Sequence, residues 1–132
     1  MKALLDTSVL LGPDPGPIEA EVAISAMTLA ELHFGVLVSR SAEVRASRLA
    51  RLAVIERTFD PLPIDNEVAR SYGRIAAAVV ASGRQPRGRV ADLLIAATAV
   101  AHDAVLWTRN PADFTGLETI LKVYDPSTSP SH

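Results

Sequence analysis

The sequence predicts an α/β fold with a parallel sheet covered on both faces. Three observations carry this reading. Short apolar runs recur at Lys2-Ala3-Leu4-Leu5, Val22-Ala23-Ile24-Ser25, Val105-Leu106-Trp107-Thr108 and Ile120-Leu121-Lys122-Val123, as buried parallel strands do. The segments between them are long enough for helices, and several carry apolar residues at helical spacing. Two polar clusters, Asp6-Thr7-Ser8 and Thr108-Arg109-Asn110, fall at strand carboxyl ends, where such sheets place their ligands.

In chain order, the first strand ends at Asp6, and the proline-rich stretch Gly12–Pro17 reads as a loop. After the second strand, Thr28 and Glu31 stand at capping-box spacing, which predicts a helix from Leu29 to about Ser39. Ala42–Thr58 reads as a second helix. Its apolar side is Leu49, Leu52, Val54 and Ile55; Arg45, Arg48 and Arg51 form a solvated or partner-facing stripe. Leu62-Pro63-Ile64 is a brief extended piece. Asn66 is a good N-cap for a third helix to about Ser82, ended by Gly83. Val90 to His102 is a nearly all-apolar helix, which belongs at the centre of the fold.

The chain has 132 residues, 48% hydrophobic and 21% charged, which suits one globular domain. Aromatics at 5% leave an aliphatic core. The absence of cysteine excludes a disulfide scaffold, a thiolate metal site and a cysteine nucleophile. A net charge of −2 argues against a protein that coats duplexes. No apolar run is long enough to span a membrane, and the first apolar residues meet Asp6 too soon for a secretory signal. A cytoplasmic protein is the expectation. Residues 125–132, polar and Pro/Ser-rich, are expected to be a flexible tail behind a domain at 1–124.

Four acids stand in apolar or strand-end surroundings. Asp6 ends a strand, Glu31 lies in Leu29-Ala30-Glu31-Leu32, Asp92 opens the apolar helix, and Asp113 follows a strand end. Each has a local alternative: an Asx-turn for Asp6, a capping box for Glu31, a helix-dipole contact for Asp92 and a turn cap for Asp113. Gathered in one cleft, they would raise one another's pKa unless a cation intervened. Oxygen donors without Cys or a His pair favour Mg²⁺ or Mn²⁺ over zinc. Such a metal binds substrate phosphate and activates water, which is the chemistry of phosphodiester hydrolysis.

Four segments occur in a telling order. They are Leu4–Leu10, Ile24–Val36, Asp92–Ala99 and Leu106–Phe114. Together they resemble the PIN-domain ribonucleases, specifically the VapC toxins of bacterial toxin–antitoxin pairs, over about Met1 to Tyr124. The resemblance implies a three-layer α/β/α sandwich with a mainly parallel sheet. It implies a Mg²⁺-dependent endoribonuclease, restrained by a VapB-type antitoxin and paired as a homodimer. Asp6, Glu31 and Asp92 match three acidic metal-site positions of the family. Asp113 is taken as the fourth, with Asn110 orienting a water or ligand, and Thr7, Ser8 and Thr108 are candidate supporting hydroxyls. In this assignment Asp6 and Asp92 anchor the metal, and Glu31 and Asp113 complete its shell or position the attacking water.

Arg84, Arg87 and Arg89 crowd the loop before Asp92; they either clamp RNA phosphates beside the cut or serve solubility and helix flanking. Trp107, Phe34 and Phe114 are expected to pack, which leaves RNA recognition to shape and single-stranded access. His33, two residues from Glu31 on a helix, points elsewhere and reads as structural or surface. Gly35 reads as a point of close packing. Two other functions stand beside the enzyme: a catalytically inactive PIN-fold interaction module, and a DNA-directed or structure-specific nuclease. The intact acidic set favours the enzyme over the first. A short chain without an extra DNA-binding module counts against the second.

Overall fold

Successive residues of a strand face opposite sides of a sheet, and Leu4 and Leu5 enter two different apolar clusters. The computed structural model, which describes residues 1–127, accordingly has helices on both faces of its sheet. The elements run β1 (Lys2–Leu5), α1 (Thr7–Leu11), β2 (Glu21–Ala23), α2 (Ala26–Leu37), α3 (Ala42–Thr58), α4 (Asn66–Ala81), α5 (Val90–Ala101), β3 (Val105–Trp107), a 3₁₀ turn (Pro111–Phe114) and β4 (Val123–Tyr124). The sheet order is β2-β1-β3-β4. Every pairing is parallel, with Ala3 opposite both Val22 and Val105, and Leu106 opposite Val123. The chain leaves β1 toward one edge and later returns to β3 on the other side. That reversal opens a crevice at the carboxyl ends of β1 and β3.

On one face, Val68, Ile75 and Val79 of α4 and Leu93, Ala96 and Ala97 of α5 cover Leu4 and Leu106. On the other, Val9, Leu32, Val36, Leu52 and Ile55 gather on Leu5 and Ile24. The central place of α5 follows from its composition: six of its twelve residues are buried. Leu4 is wholly buried, so Leu4→Ala is expected to cost about 2–5 kcal/mol. Urea unfolding measures this; a loss below about 1 kcal/mol would mean that the cavity collapses freely.

Both long helices on this face end in a left-handed residue. After α4, Gly83 takes φ +84°; its N–H bonds Val80 O while that of Arg84 bonds Val79 O, a paired closure that favours glycine. After α5, Asp103 takes the same role at φ 52°, with Ala104 N–H on Ala99 O at 2.8 Å.

Several local expectations are corrected. Helix α1 is not foreshadowed in the sequence; at five residues it is too short to show a periodicity. The cap of α2 is Ser25, whose Oγ accepts Met27 N–H at 3.0 Å; Thr28 lies inside the helix, wholly buried. A parallel bridge to Leu62 pins Ser25 and starts the helix early. Likewise Asp65 rather than Asn66 caps α4, accepting Val68 N–H at 3.0 Å. The last strand begins at Val123, because Ile120 and Leu121 close a turn onto Leu117 O. Phe34 is 66% exposed, since the buried face of α2 is Thr28, Leu32 and Val36. On α3, Leu52 and Ile55 reach the core, but Leu49 and Val54 stay exposed.

The arginine stripe of α3 is not simply solvated. Arg45 donates to Leu37 O, Arg48 to Gly35 O at 2.7 Å, and Arg51 to Leu11 O at 3.0 Å. These cations satisfy carbonyls at the carboxyl ends of α2 and α1. Of the proposed tail, Asp125–Ser127 is described: Ser127 N–H bonds Asp125 Oδ1, and Arg109 donates to Ser127 Oγ. Residues 128–132 lie outside the described residues. Among those described, no helix is long and apolar enough to cross a membrane.

Candidate active site

A single residue, Asp6, separates β1 from α1, so it follows the strand end directly and is the helix N-cap. Its Oδ1 accepts Thr7 N–H at 2.8 Å. Its Oδ2 accepts the hydroxyls of Thr108 at 2.8 Å and Ser8 at 3.1 Å. The two polar clusters, far apart in sequence, are therefore one network across the β1–β3 crevice. Main-chain bonds fix the alignment: Asp6 N–H to Trp107 O at 2.9 Å, and Thr108 N–H to Tyr124 O at 3.0 Å. Asp6 and Thr108 are both buried.

Thr7, next in the chain, turns toward α2 and donates to Glu31 Oε1 at 2.7 Å. Its hydroxyl also stands 3.4 Å from that of Thr28. Because Ser25 caps α2, Glu31 is released from any capping duty and stands half-buried over Thr7. Asp92 sits in the first turn of α5. Its carboxyl is pushed above the ordinary value of 3.8, first by burial, then by the charges of Asp6, Asp113 and Glu31 in that order; Arg89 opposes the shift. The other three predicted acids thus all bear on Asp92 electrostatically. Asp113 is the exposed member, in the 3₁₀ turn, with its N–H on Asn110 O at 3.0 Å. Asn110 works through its main chain: its N–H bonds Thr108 Oγ1 at 3.1 Å.

Among the described residues, no three His, Asp or Glu side chains already converge as a cation cage. The donors are nonetheless all hard oxygens, and three of them repel the charge on the fourth, Asp92. Mg²⁺ commonly takes only one or two carboxylates, the rest being water and substrate phosphate, so a spread acidic set fits it.

A family model described as the PIN domain matches residues 3–115. The chain belongs to the PIN domain family. This PIN domain is 36% identical over 121 residues to Ribonuclease VapC5 of Mycobacterium tuberculosis, covering 87% of each chain. It is 38% identical over 100 residues to Ribonuclease VapC8 of the same organism, covering 73% of this chain and 88% of that one. A crystal structure of VapBC-5, a toxin–antitoxin member from Mycobacterium tuberculosis, superposes with a TM-score of 0.81 at 36% identity, covering 94% of this chain and 96% of that chain. The sheet-and-helix sandwich expected from the sequence is the fold of that relative.

The basic loop of this PIN domain divides. Arg89 is the member whose charge reaches Asp92, while Arg87 is exposed. Arg84 lies near Glu118, whose carboxyl is held below its ordinary range first by the Gly116 N–H, then by its own N–H, and less by Arg84. His33 pairs with Glu56 of α3 at 2.9 Å, away from the acids as its helical position requires. Gly35 departs from expectation. A Cβ there would meet nothing within 4 Å, because it faces an open groove of about 530 Å³ lined by Leu11, Glu31, Leu32, Arg48 and Arg51.

Sequence reasoning passed over three contributors. Thr28, taken as a cap, is a buried neighbour of Thr7. Arg109 and Gly12 meet beside Ser8. The run Thr108-Arg109-Asn110 signalled a strand-end cluster, but no spacing rule pairs Arg109 with Gly12 across the sheet.

Proposed function

We propose that this PIN domain is a metal-dependent endoribonuclease toxin that hydrolyses RNA phosphodiester bonds and is restrained by a VapB-type antitoxin. The observation that carries the reading is the field at Asp92, where Asp6, Asp113 and Glu31 crowd one half-buried carboxyl at the carboxyl ends of the strands. Repulsion of this kind is relieved by a cation, and the acids offer the donor chemistry of Mg²⁺ or Mn²⁺. Asp6 and Asp92 would hold the ion, with Glu31 and Asp113 completing the set. When bound, such an ion acidifies a water and offsets charge on the scissile phosphate.

The protein's own groups do the rest. Thr108 and Ser8 fix the direction of Asp6 Oδ2. Thr7 engages Glu31 Oε1, which leaves Oε2 to accept from the attacking water and orient it. Arg89, beside Asp92, holds a phosphate oxygen of the RNA, with Arg87 extending that contact along the loop. The antitoxin reading is supported by the solved toxin–antitoxin relative and by exposed apolar side chains on α2, Phe34 and Leu37. A homodimer is part of the same proposal.

The test is cleavage of RNA and of single-stranded DNA by antitoxin-free protein in Mg²⁺, in Mn²⁺ and in EDTA. RNA cut in either metal, spared in EDTA and spared by Asp6→Ala is the expected result. DNA cut as readily as RNA would overturn the substrate class. Cleavage unchanged in EDTA would overturn the metal.

A further inference from the structure

Beyond the acids and their hydroxyls, Arg109 occupies a place that its surface location does not require. It leaves the end of β3 and lies across Gly12, which follows α1. One guanidinium nitrogen donates to Pro13 O, and the other to Ser127 Oγ at 2.9 Å. Its Nε is buried and has no hydrogen-bond partner among the described residues. An unpaired buried donor is unfavourable, so the packing that holds it there must outweigh that cost. A Cβ on Gly12 would stand 2.7 Å from Nε and 2.9 Å from Ser8 O. The glycine is needed here for space, since its φ of −90° is open to any residue.

The main chain of the same residue reaches the acids. Arg109 N–H donates to Ser8 Oγ at 3.0 Å, and Ser8 in turn donates to Asp6 Oδ2. Side chain and backbone of one residue therefore grip both ends of the α1 region: Pro13 beyond it and Ser8 within it. We propose that Arg109, seated on Gly12, is the positioning residue that straps α1 to the end of β3 and so sets the direction of the Asp6 carboxylate. The proposal rests on the nuclease reading for its catalytic consequence, but not for its structural one.

Gly12→Ala and Arg109→Ala test it together, with the double variant and Arg109→Lys. At an ordinary site with this φ, Gly→Ala is neutral or stabilising through the unfolded chain. Here Gly12→Ala is expected to reproduce Arg109→Ala: kcat for RNA falls about 10–100-fold, as for partners that orient a metal ligand, with KM unchanged. The double variant is expected to be no worse than the poorer single one, because both remove one contact. Lys keeps a cationic donor to Pro13 O and should recover part of the loss. Melting curves restrict the comparison to folded proteins. Amide exchange at Val9 and Leu10, whose N–H groups bond Asp6 O, is expected to quicken in both single variants.

Gly12→Ala with parental kcat and exchange would overturn the strap, as would additive losses. A rise in KM at constant kcat would make Arg109 an RNA contact instead. If the parent cuts no RNA in any metal, the nuclease reading fails, while the exchange data still decide the strap.

Discussion

Asp92→Asn is expected to abolish RNA cleavage and, in EDTA, to melt higher than the parent at neutral pH. The loss of activity should exceed the ~10–100-fold that outer partners of a metal site cost, because Asp92 is placed among the direct ligands. The gain in stability follows from its surroundings. Burial first, then Asp6, Asp113 and Glu31, push the carboxyl above 3.8. Between 3.8 and the raised native value, the folded protein holds a proton that the unfolded chain has released. Stability from this group is therefore complete below 3.8 and is lost as pH climbs through the native value. Asn keeps the shape without the charge and escapes that decline. The two proteins should melt alike below 3.8 and diverge above it, which melting curves across pH will show. A fully active Asp92→Asn, or one that melts lower at neutral pH, would remove Asp92 from the centre of the site.

Asp6 should behave in the opposite way. It is buried and accepts from Thr7, Ser8 and Thr108, so its removal breaks bonds that hold the fold. Asp6→Ala removes a helix cap and leaves two hydroxyls without their acceptor. Together these should cost on the order of 2–4 kcal/mol, which for a domain of this size is a fall of roughly 3–5 °C in Tm per kcal/mol. Cleavage should vanish as well. Asp6→Asn, which can still cap α1 and accept one hydroxyl, should recover much of the stability and none of the activity. Differential scanning calorimetry beside the RNA assay separates these effects. An Asp6→Ala protein as stable as the parent would mean that the hydroxyl network is not formed in solution.

The contrast between these acids is a property of the fold. In the sequence Asp6 and Asp92 look alike, each beside an apolar run, and each has a local alternative, an Asx-turn or a helix-dipole contact. Asp6 does cap a helix, yet the same carboxylate faces Thr108 from another strand. Glu31 loses its capping alternative because Ser25, pinned by Leu62, begins the helix three residues before Thr28. Phe34 and Leu49, apolar on helices, stay exposed because each helix offers the core only a narrow strip. Local pattern reports that a helix is amphipathic; which part of its apolar face is covered depends on what packs against it.

The sequence alone determined the alternation of short strands and helices, the parallel sheet, the central place of the apolar helix and the four acids. Those features rest on local periodicity, strand-end polarity and ordered motifs, all written within a few residues of one another. The structure decided the β2-β1-β3-β4 order, the crevice that joins Asp6 to Thr108, the hold of Thr7 on Glu31 and the seat of Arg109 on Gly12. Each of these joins residues distant in the chain. No local spacing encodes such contacts; they arise when the two apolar faces of the sheet are covered and the strand ends are brought into register.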